Sequence, residues 1–101
     1  MENVEFEYRA EIICNQSVQD DVIDYLEQEL PELEYSILPD VQGKGLKSKK
    51  LGNTTWPEKN FILFAYTNSE GAKKIKEILN NIKQKFPKEG ISVFFLKGET
   101  I

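Results

Sequence analysis

The chain has 101 residues, 40% of them apolar, a formal net charge of −4 and no histidine. That length suits one domain with one hydrophobic core, spanning residues 1–101. The missing histidine excludes triads built on Ser/His or Cys/His, and the lone cysteine, Cys14, excludes a disulfide framework or a cysteine zinc cluster and fits a reducing cytoplasm.

Val4, Phe6, Tyr8, Ala10 and Ile12 alternate with Glu5, Glu7, Arg9 and Glu11, a period of two that predicts a strand with one apolar face. The same segment lacks the continuous apolar run of a signal peptide or a membrane span, so no membrane association is expected. Ser17 stands where a helix N-cap belongs, with Asp20 and Asp21 in the first turn. Val18, Val22, Leu26 and Leu30 then recur every four residues beside Ile23, which predicts an amphipathic helix over 18–30, ended by Pro31. Tyr35, Ile37 and Val41 form a weaker strand pattern, and Pro39 within it predicts a sheet edge.

The segment LPDVQGKGLKSKKLGNTTWPEKN, residues 38–60, has no apolar periodicity and holds five lysines, three glycines and the single tryptophan. A loop of this length calls for a functional role. Its motif VQGKGLK places Gly43 and Gly45 one residue apart, a spacing that lets backbone N–H groups face a concavity, with Lys44 and Lys47 available to an anion. There is neither a third glycine nor a helix starting on the loop, so it is neither a dinucleotide fingerprint nor a Walker loop. Lys49, Lys50 and Trp56 are the candidate partner contacts, although solvation for the lysines and anchoring on the core for the indole are the plainer roles.

FILFAYT (61–67) is apolar at both parities and predicts a strand covered on both faces. Ser69 is the expected cap of a second helix whose Ala72, Ile75, Ile78, Leu79, Ile82 and Phe86 mark one face. Pro87 and Gly90 end it, and ISVFFL (91–96) is the last strand.

The resulting order, βαββαβ, predicts an α+β ferredoxin-like sandwich, with both helices on one face of a four-stranded antiparallel sheet. The other face then lacks cover, and apolar side chains of the last two strands must sit on it, which predicts self-association. Glu5, Glu7, Arg9 and Glu11 would share that face and make the middle of the interface partly polar.

Charge is uneven along the chain. Residues 1–40 carry one Arg against twelve acidic side chains, residues 41–60 carry five Lys against Glu58, and residues 61–101 carry seven Lys against four Glu. Such asymmetry steers charged partners or neighbouring copies of the chain. No convergent pair of carboxylates marks a catalytic site, so no enzymatic role, catalytic residue or metal site is expected.

With the strand ending in VQGKG, the variable loop, WPEKN leading into FILFAYTNSEGAKKIKEIL and the closing KFPKEGISVFF, the chain resembles the PII signalling family in its short, PII-like form, from about Phe6 to Leu96. The resemblance implies a homotrimer of ferredoxin-like subunits that binds a small anionic effector, with adenine nucleotides as candidates, in intersubunit clefts. It also implies an unidentified protein partner contacting residues 42–60 as a shortened T-loop. By the same resemblance Gly43 and Gly45 match the T-loop base, and Lys88 and Gly90 remain from the phosphate-holding loop. Leu46 and Lys47 stand where typical members carry arginine and glutamine.

Two other resemblances compete. The CutA family is also trimeric and ferredoxin-like, and is linked to divalent metal tolerance, but this chain lacks histidine and additional cysteines. RNA-recognition modules share the βαββαβ order, and KNFILFAY resembles their third-strand motif; Asn60 and Ile62 replace its glycines and the chain is acidic, which speaks against nucleic acid.

Overall fold

The computed structural model describes residues 6–45, 49–50, 52 and 58–99. The chain runs β1 (Tyr8–Asn15), a 3-10 turn (Gln16–Val18), α1 (Gln19–Glu29), β2 (Glu34–Val41), β3 (Gly43–Lys44), β4 (Lys49–Lys50), β5 (Asn60–Thr67), α2 (Ser69–Lys85) and β6 (Ile91–Lys97). The four long strands form one antiparallel sheet in the order β2-β5-β1-β6, and β3 pairs with β4 in a separate short ribbon. This is the expected α+β ferredoxin-like arrangement, with the addition of the ribbon at the base of the loop.

Strand parity decides what is buried. Ala10, Ile12 and Cys14 of β1 and Phe61, Leu63 and Ala65 of β5 point to one side and are fully buried. Val18, Val22 and Leu26 meet them from the first helical segment, and Ile75, Ile78, Leu79 and Ile82 from α2, in one cluster that Ile91 completes. Each large side chain removed from water contributes about 1.5–3 kcal/mol, so a one-residue slip of β1, which would exchange Ile12 for Ile13, forfeits the core contacts of the whole strand.

Both helix starts differ from expectation by two residues or fewer, for one reason. Ser17 does not cap α1: the Asn15 side chain accepts a hydrogen bond from Ser17 N at 3.1 Å, a 3-10 turn follows, and α1 begins after Val18, which makes no side-chain cap bond. At α2 the cap is Asn68, in extended geometry, whose Oδ1 accepts from Gly71 N at 2.9 Å. Ser69 is already helical, and its N–H donates to Glu7 Oε1 at 3.3 Å. An asparagine next to a serine offers two plausible caps, and the one whose backbone leaves the strand takes the role.

β2 is an edge strand, as Pro39 predicted. Its pairing with β5 shifts register between Leu38 and Val41, and within the shift Asp40 takes a φ of +58°. Aspartate tolerates this left-handed geometry better than most residues, and the kink interrupts an edge that would otherwise invite another strand.

The face opposite the helices carries three rows across the sheet: Glu34, Tyr66, Arg9 and Leu96; Ser36, Phe64, Glu11 and Phe94; Leu38, Ile62, Ile13 and Ser92. Leu38, Tyr66, Phe94 and Leu96 are 41 to 54% exposed. Thus β5 is covered on one face only, contrary to the reading of FILFAYT as doubly covered. Arg9 pairs with Glu11 at 2.9 Å and lies 5.5 Å over the Phe64 ring, so the middle of the open face is polar as expected. Glu7 precedes β1, and its carboxylate turns to the start of α2, where it accepts from Ser69 N. Val4 and Glu5 lie outside the described residues.

Candidate functional site at one end of the sheet

The ends of β1 and β2 and the beginnings of β5 and β6 meet at the same end of the sheet, because neighbouring strands run antiparallel. Val41 is in register with Asn60, Asn60 with Asn15, and Asn15 N donates to Gly90 O at 2.9 Å. The two sequence motifs, Gly43 to Gly45 after β2 and Lys88 to Gly90 before β6, therefore lie on one rim. They are attached to the two outer strands, separated by three strand spacings, or about 14 Å. Within one chain they do not converge on a single phosphate.

Gly43 sits close against Asn60: a Cβ on it would stand 2.8 Å from Asn60 Nδ2. This close approach lets the chain leave the edge of the sheet and rise as the β3–β4 ribbon, in which Gly43 is opposite Lys50 and Lys44 opposite Lys49. The loop expected to be irregular thus begins with two paired rungs. Lys44 and Gly45 are exposed. At the returning end, Gly52 takes a φ of +68°, which favours glycine, and donates its N–H to Glu58 O at 3.2 Å. Lys59 reaches Asp40 at 3.7 Å, tying the kink in β2 to the start of β5. Lys47 and Trp56 lie outside the described residues.

At the other motif Lys88 is exposed, and a Cβ on Gly90 would meet nothing within 4 Å. Gly90 is therefore free of steric demand; what it contributes is a carbonyl held by Asn15. Between the motifs lies a shallow cleft of about 330 Å³ lined by Asn15, Gln16, Ser17, Glu58 and Lys59. Gln16 N donates to Lys59 O at 2.9 Å across its floor.

Three residues at this rim are not marked as site residues by the sequence, although Ser17 is read there as a cap. Asn15 is only 4% exposed, and Ser17 Oγ donates to Glu89 Oε1 at 2.9 Å while Asn15 Nδ2 donates to Glu89 Oε2 at 3.4 Å. A carboxylate thus sits between Lys88 and Gly90, where only residues favourable to anions were expected. The available signal was the glutamate itself, in FPKEG; its two donors are more than 70 residues away and become visible only once β1 and β6 pair.

Among the described residues no group of three or more His, Cys, Asp or Glu is placed to hold a metal ion, and no helix is long and apolar enough to cross a membrane.

No protein-family model matches the sequence, and no curated protein does. Solved structures do match. CPII, a nitrogen regulatory PII-like protein from Thiomonas intermedia bound to ADP, AMP and bicarbonate, superposes with a TM-score of 0.73 at 17% identity, over 94% of this chain and 92% of that one. A PII-like signalling protein from Thermus thermophilus gives 0.69 at 17% identity, over 100% and 94%. A de novo designed protein, Foldit4, gives 0.57 at 12% identity, over 92% and 99%. Near-complete coverage by two PII-like proteins from different organisms, at higher TM-scores than the designed frame, makes this chain PII-like in fold.

Proposed function

We propose that the chain is a noncatalytic, cytoplasmic PII-like regulator. It assembles as a homotrimer, binds a small anionic effector in clefts between subunits, and signals to a partner protein through residues 42–60, a shortened T-loop. The observation that carries the assembly is the open face of the sheet, where Leu38, Tyr66, Phe94 and Leu96 stand exposed around the Arg9–Glu11 pair. Copies closing over this face remove the apolar side chains from water and leave the ion pair a damp centre.

The separation of the two motifs supports an effector site between subunits, since a second copy can supply from outside what one rim cannot bring together. In this reading Gly43, Lys44, Gly45 and Lys47 are the effector contacts of one subunit and Lys88 and Gly90 those of another, and Lys49, Lys50 and Trp56 are the contacts to the partner protein. The ADP, AMP and bicarbonate bound by CPII make nucleotides and small oxyanions the first effectors to try. An effector that contacts the loop in one conformation only shifts the loop toward it, which is the output such a regulator needs.

The test combines mass in solution with thermal melting against ADP, AMP and bicarbonate. A mass of three chains and a melting temperature raised by one of these ligands uphold the reading. A single-chain mass at low concentration overturns the assembly, and melting unmoved by every anion overturns the effector.

One observation favours a second reading. Tyr66, Phe64 and Phe94 share the open face with Arg9, an arrangement on which single-stranded RNA bases stack. Titration with single-stranded RNA at two salt concentrations separates the two, because a trimer leaves that face unavailable.

A further inference from the structure

The cluster of Asn15, Ser17 and Glu89 lies beside the effector residues Lys88 and Gly90. We propose that Asn15 Nδ2 and Ser17 Oγ form an oxyanion cradle that the Glu89 carboxylate of the same chain fills, so that an effector's phosphate or carboxylate enters by displacing Glu89. The proposal rests on the effector-binding reading above and names how that site is regulated.

Two donors from β1 and the turn after it meet the two oxygens of one carboxylate, at 3.4 Å from Asn15 and 2.9 Å from Ser17. Asn15 has no easy alternative, whereas Ser17 is exposed and its hydroxyl exchanges Glu89 for water when the carboxylate leaves. Asn15 is 4% exposed and its Oδ1 is already engaged by Ser17 N, so its amide is oriented with Nδ2 toward the anion. A buried donor left without an acceptor costs stability, so Asn15 Nδ2 favours an acceptor at this place, and a charged oxygen makes the stronger bond. Two oxygens of a phosphate group fit the same two donors.

Displacement is easy in this geometry. The loop that carries Glu89 is held by its backbone, with Glu89 N donating to Phe86 O at 3.1 Å and Gly90 O accepting from Asn15 N at 2.9 Å, so the side chain can swing away without unfolding the loop. The cleft of about 330 Å³ that includes Asn15 and Ser17 gives an incoming anion access, with both Lys59, paired with Asp40 at 3.7 Å, and Glu58 on its wall. Glu89 therefore acts as an internal competitor, and only anions offering two oxygens to the cradle replace it well.

Calorimetric titration of the full chain with ADP, pyrophosphate and acetate tests this on wild type, Glu89→Gln, Glu89→Ala and the double variant Glu89→Ala/Ser17→Ala. Glu89→Ala should bind pyrophosphate or acetate about tenfold tighter than wild type, which one tightens distinguishing a phosphate from a carboxylate ligand. Glu89→Gln keeps the shape and one acceptor and should gain less, which serves if the alanine variant folds poorly. The double variant should lose the gain. Equal affinities in wild type and Glu89→Ala overturn the competitor while leaving the effector reading intact; if no protein binds any of the three probes, both fall.

Discussion

Gly43 leans on Asn60 so closely that a Cβ would stand 2.8 Å from Asn60 Nδ2, nearer than a real Cβ comes to a neighbour. The contact joins the base of the long loop to the first residue of β5. Gly43→Ala should cost about 1 kcal/mol, because the obstructing atom is the end of a short side chain that can rotate but then leaves its place beside Asn15. Combining it with Asn60→Ala removes the obstruction, so the pair should be non-additive in urea unfolding, with the double variant less impaired than the sum of the two. Additive losses would show that Gly43 is chosen for something other than this approach.

The caps supply a sharper contrast. Asn68→Ala removes the acceptor of Gly71 N and should lower stability by about 1 kcal/mol. Ser69→Ala, one residue later, touches no cap bond and should stay within about 0.5 kcal/mol. Chemical unfolding of the two single variants decides between them, and the reverse order would restore Ser69 as the cap.

Why the helices were legible and their caps were not follows from range. The periodicity of Val18, Val22 and Leu26, or of Ile75, Ile78, Leu79 and Ile82, is a property of the sequence itself, and burial follows once any sheet is present. Asn15 against Ser17 is a contest settled by where β1 ends, and that depends on pairing with Asn60 and with the residue after Gly90. FILFAYT looked doubly covered for a related reason: apolar residues at both parities read alike whether the second cover is a helix or another molecule. At the candidate site the glycine motif was visible, but its distance from Gly90 and the occupation of the rim by Glu89 are tertiary facts that no local pattern carries.

Phe94 is 54% exposed in the single chain, so Phe94→Asp should cost a lone subunit only about 1 kcal/mol, through Glu11 opposite it and the lost aromatic strand residue, and leave it folded. Placed opposite Glu11 on the open face, the new carboxylate should instead separate the copies, since like charges brought together out of water repel strongly. The expected outcome is a fall in solution mass with an unchanged far-ultraviolet spectrum. Lys76→Asp on the exposed side of α2 is the control and should leave the mass as it was. Dissociation by the control and not by Phe94→Asp would move the interface to the helices.

Cys14 sets the last test, at high pH. Burial pushes its thiol up from an ordinary value of 9.0 to about 12, against smaller opposing effects of a Ser92 backbone hydrogen bond and the Lys83 charge. The folded state thus holds the proton after the unfolded chain has released it. Stability from this group is fully present below pH about 9 and is lost as pH rises toward about 12, because over that interval the unfolded state binds fewer protons. Tyr35, raised chiefly by its hydrogen bond to Glu27, and Lys85, raised chiefly by its hydrogen bond to Tyr25, change stability in the same direction, so the decline in wild type alone does not isolate the thiol. Cys14→Ala does: urea unfolding from pH about 8 to about 11 should fall less steeply in the variant, whatever its starting stability. An aromatic disulfide reagent at the lower pH should react with wild type only as fast as the core opens. Parallel pH curves for the two proteins, together with rapid labelling in native buffer, would mean that the thiol reaches water and that the inner face of β1 is not sealed by the helices.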